Sequence, residues 1–164
     1  MEKRTYFPWD NTRGWPKPEE LKPYFVAAAS EGFLFEMDND SAIFEGQGAD
    51  GTEHLPIGNG RIHIKLEMWG NPEHGVLLIW SKWGGGHELT YTSKGSLTRM
   101  REFVFDRHGT PLPVAFFVPF EKAWEAVKEF LETEGAFPKS IEWVANDDLP
   151  PNTFPDPTEF THSR

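Results

Sequence analysis

The chain contains no cysteine among its 164 residues. That absence excludes disulfide bonds, thiolate metal ligands and a cysteine nucleophile, and it suits a reducing compartment such as the cytoplasm. The chain also has no apolar run near the ~20 residues that span a bilayer. Residues 1–10 lack the apolar centre of a signal peptide. We therefore expect a cytoplasmic protein without a membrane partner.

Basic side chains are scarce as well. Sixteen Lys and Arg oppose 26 Asp and Glu, which gives a net charge of -10. No Lys or Arg lies between Lys22 and Arg61, and none lies between Glu142 and Glu159. This deficit opposes nucleic-acid binding, which relies on cationic side chains, and favours a basic protein partner. The acidic stretches are interpreted either as solvated faces or as a decoy surface for a cationic cleft.

The apolar content is sufficient for one compact domain. Hydrophobic residues make up 38% of the chain and aromatic residues 15%, which is enough to build a core. We divide the domain into an irregular, aromatic-bearing arm at 1–17, a core at 18–144 and an acidic, proline-rich tail at 145–164. The tail is expected either to wrap the surface or to stay mobile.

The clearest element is an amphipathic helix at 120–134. Its apolar residues recur at three- and four-residue spacing and therefore lie on one stripe. Pro119 suits the first turn, while Gly135 and Pro138 end the helix. The apolar stripe consists of Phe120, Ala123, Trp124, Val127, Phe130 and Leu131.

The other elements are shorter. A weaker helix is predicted at 19–30, where Pro23 would have to lie in the first turn or displace the start of the helix. A glycine-rich loop is expected at 46–60. The fold class is α+β: a mostly antiparallel β-sheet with a C-terminal amphipathic helix packed on one face and a weaker N-terminal helix. The predicted strands are 33–38, 42–45, 61–69, 76–83, 87–92, 101–106, 114–118 and 141–143.

The register of the central strands decides which side chains share a face. We place Trp69 opposite Val76, and Trp83 opposite His87 across the triple glycine at 84–86. One face is then apolar, and the other is mixed and open, with Lys82 and Glu88 as a cross-strand pair. The open face carries His63, Lys65, Glu67, Trp69, Leu78, Trp80, Lys82, Glu88, Thr90 and Thr92. Trp124 and Trp143 point into the core.

Several patterns imitate ligand or catalytic sites. Gly46, Gly48 and Gly51 match G-x-G-x-x-G, but no helix follows them to hold a pyrophosphate. The segment from Asp38 to Asp40 begins like a calcium loop that lacks its turn glycine. The histidines have no metal-ligand spacing, and no nucleophile, base and orienting group come together. We predict no cofactor, no metal and no catalysis, and an unrecognised carboxylate pair ranks last among the alternatives.

The C-terminal half carries four structural motifs in a fixed order: Val-Pro, an amphipathic helix ending in Glu-Phe, a Gly-x-x-Pro stop and a closing Trp. They are Val118 with Pro119, Glu129 with Phe130, Gly135 with Pro138, and Trp143. Over roughly residues 76–143 the chain resembles the family-one immunity proteins of bacterial polymorphic toxin systems, with Glu134 as an extra residue before the stop glycine. The resemblance implies a protein that binds and silences a secreted toxin inside the producing cell. The members of that family are similar to one another although their toxins differ in activity and include nucleic-acid deaminases and nucleases.

The candidate binding residues come from charge and register, not from the family motifs. We expect them to occlude the cationic active site of the toxin. One alternative is a small carbohydrate- or ligand-binding module that uses exposed tryptophans. Another is that the N-terminal arm, with Tyr6, Phe7, Trp9 and Trp15, covers those tryptophans. The candidate residues are Asp38, Asp40, Glu45 and Asp50 for charge, and Trp69, Trp80, Trp83 and Glu88 on or beside the open face.

Overall fold

The computed structural model describes residues 1–7, 10–26, 41–106 and 108–158. The predicted strand at 33–38 and the candidates Asp38 and Asp40 lie outside these ranges. The helices are α1 (Pro18–Val26) and α2 (Phe120–Glu132). The strands are β1 (Glu2–Phe7), β2 (Asp10–Arg13), β3 (Ser41–Gln47), β4 (His63–Asn71), β5 (Gly75–Gly84), β6 (His87–Ser93), β7 (Phe103–Phe105), β8 (Pro111–Pro113), β9 (Phe117–Val118) and β10 (Trp143–Ala145).

Eight strands form one antiparallel sheet in the order β10-β6-β5-β4-β3-β1-β2, with β9 added beside β5. Strands β7 and β8 form a separate pair. The α+β class with two helices is therefore confirmed. The closing strand, however, begins at Trp143 and not at Ile141 as predicted.

The helix α2 packs on one face of the sheet, which we call the inner face. Its buried stripe includes Trp124, Val127 and Phe130, and these side chains share a core with Leu66 and Met68 of β4. Helix α1 adds Phe25, whose ring lies 5.4 Å from that of Trp124. The predicted amphipathic stripe is confirmed as the surface that closes the core.

The helix α2 ends in a hydrogen-bonded cap. The amide of Gly135 donates to the carbonyl of Phe130 at 2.8 Å, which is the long bond of a Schellman motif. Glu134 lies between them with a φ of 57°, the left-handed position where glycine is usual. The extra residue before the stop glycine therefore lies in the turn and leaves the helix intact.

The N-terminal segment differs from its prediction. Residues 1–17 were expected to be irregular, but β1 and β2 form a hairpin that extends the sheet beside β3. The weaker helix begins at Pro18, so Pro23 lies inside it and not in the first turn. Its apolar positions Leu21 and Phe25 are buried against the core, and this packing offsets the backbone bond that Pro23 cannot make.

The predicted register of β4, β5 and β6 is wrong by one residue. Trp69 lies opposite Leu77, and Trp83 lies opposite Glu88. Both turns are shorter than assumed. Asn71 pairs with Gly75 across three residues, its side chain accepting two backbone amides, and Gly85 with Gly86 form a two-residue turn with positive φ at both.

This slip places every β5 side chain on the face opposite to its predicted one. Leu78, Trp80 and Lys82 lie on the inner face, while Ile79 and Trp83 lie on the opposite, outer face. The predicted Lys82–Glu88 pair is therefore wrong, because the two residues are on different faces.

A second core cluster covers one end of the outer face. It contains Leu77, Leu112 and Phe116. The predicted strand at 114–118 is interrupted, since Val114–Phe116 forms a short 3-10 helix between β8 and β9. The tail wraps this region as far as residue 158, with the ring of Phe154 stacked 5.5 Å from that of Phe116.

Candidate partner-binding surface

At the end of the sheet away from the second cluster, the outer face carries the exposed side chains of Glu2, Arg4 and Glu88 and the partly exposed side chain of Trp83. The strand register aligns its side chains in rows that run across β1, β3, β4, β5 and β6. One row is Glu2, Gln47, His63, Trp83 and Glu88, and the next is Arg4, Glu45, Lys65, Ser81 and Thr90. Tyr6, 37% exposed, begins a third row.

Carboxylates outnumber cations among the described side chains of these rows. Glu2 is paired with Arg4 at 3.1 Å, and the hydrogen bond to Glu2 raises the pKa of Arg4 above its ordinary value. Lys65 is paired at 2.8 Å with Glu67 in the third row.

Two other carboxylates of these rows are Glu45, which lies between Arg4 and Lys65, and Glu88, which lies opposite Trp83. Within the described ranges, neither Glu45 nor Glu88 takes part in an ion pair. Charge that is not neutralised within the chain is available to attract a basic partner. Glu45 and Glu88, both predicted as binding residues, lie on the same face of the sheet.

Trp83 is the large aromatic side chain of this surface. Its ring stacks on His63, with centroids 5.3 Å apart and an angle of 18° between the planes. The ammonium of Lys65 lies 5.5 Å from the Trp83 ring centroid, within the range of a cation–π contact. His63 is only 7% exposed, so the indole rests on a fixed support.

Glu45 is also held in place. The indole of Trp15 donates a 3.0 Å hydrogen bond to its backbone carbonyl, and the amide of Gln47 donates to its Oε1 at 3.1 Å. Trp15 itself packs on Phe130 of α2, 4.9 Å between ring centroids. Trp15 thus packs on the inner side and does not cover the outer-face tryptophan.

The other described candidates lie elsewhere. Trp80 is 4% exposed, and its indole lies in the inner core. Trp69 is on the outer face but packs against the second cluster. Asp50 has an ion pair of 2.6 Å with Lys82 on the inner side. The structure therefore brings together Glu45, Trp83 and Glu88 and separates them from the rest.

Asp50 borders a groove of about 910 Å³ between the loop after β3 and the end of α2. The loop is ordered by Thr52, whose hydroxyl donates to the Ala49 carbonyl at 2.6 Å and accepts the amide of Ile62 at 2.9 Å. Salt bridges neutralise the acids at its rim: Asp50 with Lys82, and Glu134 with Lys3. The groove is therefore less charged than its composition predicts.

The contribution of β1 to this face was not predicted from the sequence. Glu2, Arg4 and Tyr6 alternate with Lys3 and Thr5, and this period of two was the available signal. Glycine and proline nearby favoured an irregular arm instead.

Among the described residues, no helix is both long and apolar enough to cross a membrane. Within those same ranges, no three His, Asp or Glu side chains cluster closely enough to hold a metal ion.

Comparison with known proteins identifies a family. No curated protein and no solved structure gives a significant match. The family model described as "Immunity protein Imm1" matches residues 18–145, which include both helices and every strand from β3 to β10. The chain therefore belongs to the Imm1 immunity protein family.

Proposed function

We propose that this chain binds a cognate secreted toxin in the cytoplasm of the producing cell and neutralises it by covering the active site with the outer face. The observation that carries the proposal is the grouping of Glu45, Glu88 and Trp83 on the outer face. Membership of the immunity family supports a toxin as the class of partner. Asp38 and Asp40 remain candidates in this proposal.

The negative charge of the surface favours a basic partner. A toxin that acts on nucleic acid, such as a deaminase or nuclease, needs a cationic substrate channel. A chain with a net charge of -10 attracts such a channel, and complementary charge raises the rate of association. Glu45 and Glu88 place negative charge on the outer face, so the partner is attracted to that side.

Trp83 supplies the anchor. Aromatic side chains that fill a partner's pocket carry a large share of the binding energy at interfaces. Because His63 already supports the Trp83 ring, little conformational freedom is lost on binding. In this proposal the chain works by occlusion and catalyses no reaction.

The carbohydrate-binding alternative depended on a platform of Trp69, Trp80 and Trp83. The register places Trp80 on the opposite face from the other two, so the three rings do not form a common surface. This observation favours the protein partner.

The test is association kinetics with the C-terminal domain encoded by the reading frame that adjoins this chain's gene. The double variant Glu45→Lys with Glu88→Lys should associate at least tenfold more slowly at low salt, and the difference should shrink as salt screens the charges. The matched control is Glu125→Lys with Glu132→Lys, which makes the same charge change on exposed positions of α2. Equal rates for the two double variants would contradict the proposed surface.

A further inference from the structure

Strand β6 is paired along only part of the edge that faces away from β5. Strand β10 pairs with Tyr91, Thr92 and Ser93. The preceding residues, 87–90, pair with β5 on one side. On the other side, no strand of the described chain pairs with them.

The hydrogen-bonding pattern shows which backbone groups face this open edge. The amide of Lys94 donates to Glu142 at 3.0 Å, toward the β10 side. In an antiparallel ladder, alternate residues direct both backbone groups to the same neighbour. Thr92, Thr90 and Glu88 therefore face the same side as Lys94. Beyond the end of β10, the N–H of Thr90 and both backbone groups of Glu88 face this edge.

The chain leaves the edge abruptly after β10. Residues Asn146–Asp148 form a 3-10 helix where a longer strand would have continued. The hydroxyl of Thr92 donates to the side-chain oxygen of Asn146 at 2.6 Å, which fixes this departure. The space left is a cleft of about 400 Å³ lined by Glu88, Thr90, Asn146 and Asp147.

The side chains around the cleft have two characters. Leu89 is 48% exposed on the inner side of this edge, opposite Lys82, whereas Glu88 and Asp147, which line the cleft, are acidic. Within the described ranges neither acid takes part in an ion pair. The edge therefore combines backbone groups that no described strand pairs with, an exposed apolar side chain and negative charge.

We propose that the open edge of β6, residues 87–90, binds an extended strand of the toxin that carries a basic side chain toward Glu88 and Asp147. Main-chain hydrogen bonds would supply affinity, and the acidic pair would select the strand. This inference rests on the proposed function and names the element through which the toxin joins the outer face, because Glu88 lies opposite Trp83.

Charge favours a toxin strand over a second copy of this chain. Two copies joined edge to edge at β6 would bring Glu88 and Asp147 of each chain close to those of the other. Like charges at such short range destabilise a strand pair. A basic strand instead neutralises both carboxylates.

The principal test is Thr90→Pro, measured by calorimetric binding to the same adjoining toxin domain. Proline removes the outward amide and blocks a neighbouring strand, but the bonds from β6 to β5 come from the alternate residues and are kept. We expect affinity to fall at least tenfold. Thr90→Val keeps the amide and should bind at least fivefold more tightly than Thr90→Pro, while circular dichroism and urea midpoints verify folding.

Hydrogen exchange tests the wild-type chain directly. The amides of Glu88 and Thr90 should exchange at least tenfold more slowly in the complex than in the free protein. Asp147→Lys should weaken binding, whereas Glu125→Lys, an equal charge change on α2, should not.

The outcomes separate the two proposals. If the wild-type chain does not bind the adjoining domain, the proposed function itself fails. If it binds, but Thr90→Pro binds equally well and the two amides exchange as in the free chain, only the edge proposal is overturned. A wild-type dimer that Thr90→Pro converts to a monomer would also overturn it, since the occupant would be a second copy.

Discussion

The indole Nε1 of Trp80 donates a 3.1 Å hydrogen bond to the carbonyl oxygen of Gly135. This bond joins the centre of the sheet to the turn that ends α2. Gly135 itself is buried, and a Cβ added to it would lie 2.0 Å from Cδ1 of Ile64. The Gly-x-x-Pro stop is thus a packed contact between helix and sheet as well as a helix terminator.

The role of Trp80 in the core predicts a specific stability loss. Trp80→Phe removes the indole donor, leaves the buried Gly135 carbonyl unpaired and creates a small void, so it should lower the free energy of unfolding by about 2–3 kcal/mol. The same change at the half-exposed Trp83 should cost under about 1 kcal/mol. Urea denaturation of the two variants makes the comparison. Equal losses would show that Trp80 is not the structural residue of the pair.

The left-handed Glu134 predicts a gain from glycine. Glu134→Gly and Glu134→Ala both remove the salt bridge to Lys3, but only glycine relieves the backbone strain at a φ of 57°. The glycine variant should therefore be more stable than the alanine variant by about 1 kcal/mol. Thermal unfolding of the two variants tests this, and an alanine variant of equal stability would contradict the cap geometry.

Glu129 has a structural role near the end of α2. Its carboxylate accepts the backbone amides of Lys139 at 2.7 Å and Ser140 at 3.0 Å, tying the segment before β10 to α2. Glu129→Ala should destabilise the protein by about 1.5–3 kcal/mol, since both bonds have a charged acceptor. The control Glu125→Ala loses only an exposed pair with Lys122 at 3.7 Å and should cost under about 0.5 kcal/mol. Urea midpoints compare them.

Trp83 should be the residue of the outer face whose truncation most weakens binding to the toxin. Trp83→Ala should raise the Kd for the adjoining toxin domain about 30-fold, equivalent to about 2 kcal/mol. Ile57→Ala truncates another exposed apolar side chain, 68% accessible, in the loop between β3 and β4, and should leave the Kd within about twofold. Surface plasmon resonance with both variants decides the matter. A larger effect at Ile57 would move the interface to that loop.

The helix α2 was predictable because its evidence is local. Its stripe, from Phe120 to Leu131, repeats at helical spacing, and its start at Pro119 and stop near Gly135 are marked by backbone chemistry. The start was predicted at the observed residue, and the end differed by two residues because Thr133 and Glu134 belong to the cap. The resemblance to the family rested on the same local signals, and the family match agrees with it.

The register of the sheet was harder to predict because it depends on turn length. Each central strand was identified, but a turn shorter by one residue changes the face of every β5 side chain. The candidate site inherited this error: Trp80, predicted on the open face, lies in the core, whereas Trp83 of the same strand lies on the outer face with Glu45. Ion pairs over long distances in sequence, such as Asp50 with Lys82, also depend on the folded loop and have no signature in the sequence.

Because successive side chains along β3, β4 and β5 point to opposite faces, each strand contributes both to the core and to the outer face. At each second position a substitution disturbs the packing under α2, whereas the intervening positions away from the second cluster belong to the outer face. A lineage under attack by a changed toxin could thus revise the exterior positions one by one while the scaffold persists. A change of target would then require substitutions only at alternate positions of these strands and no change of fold.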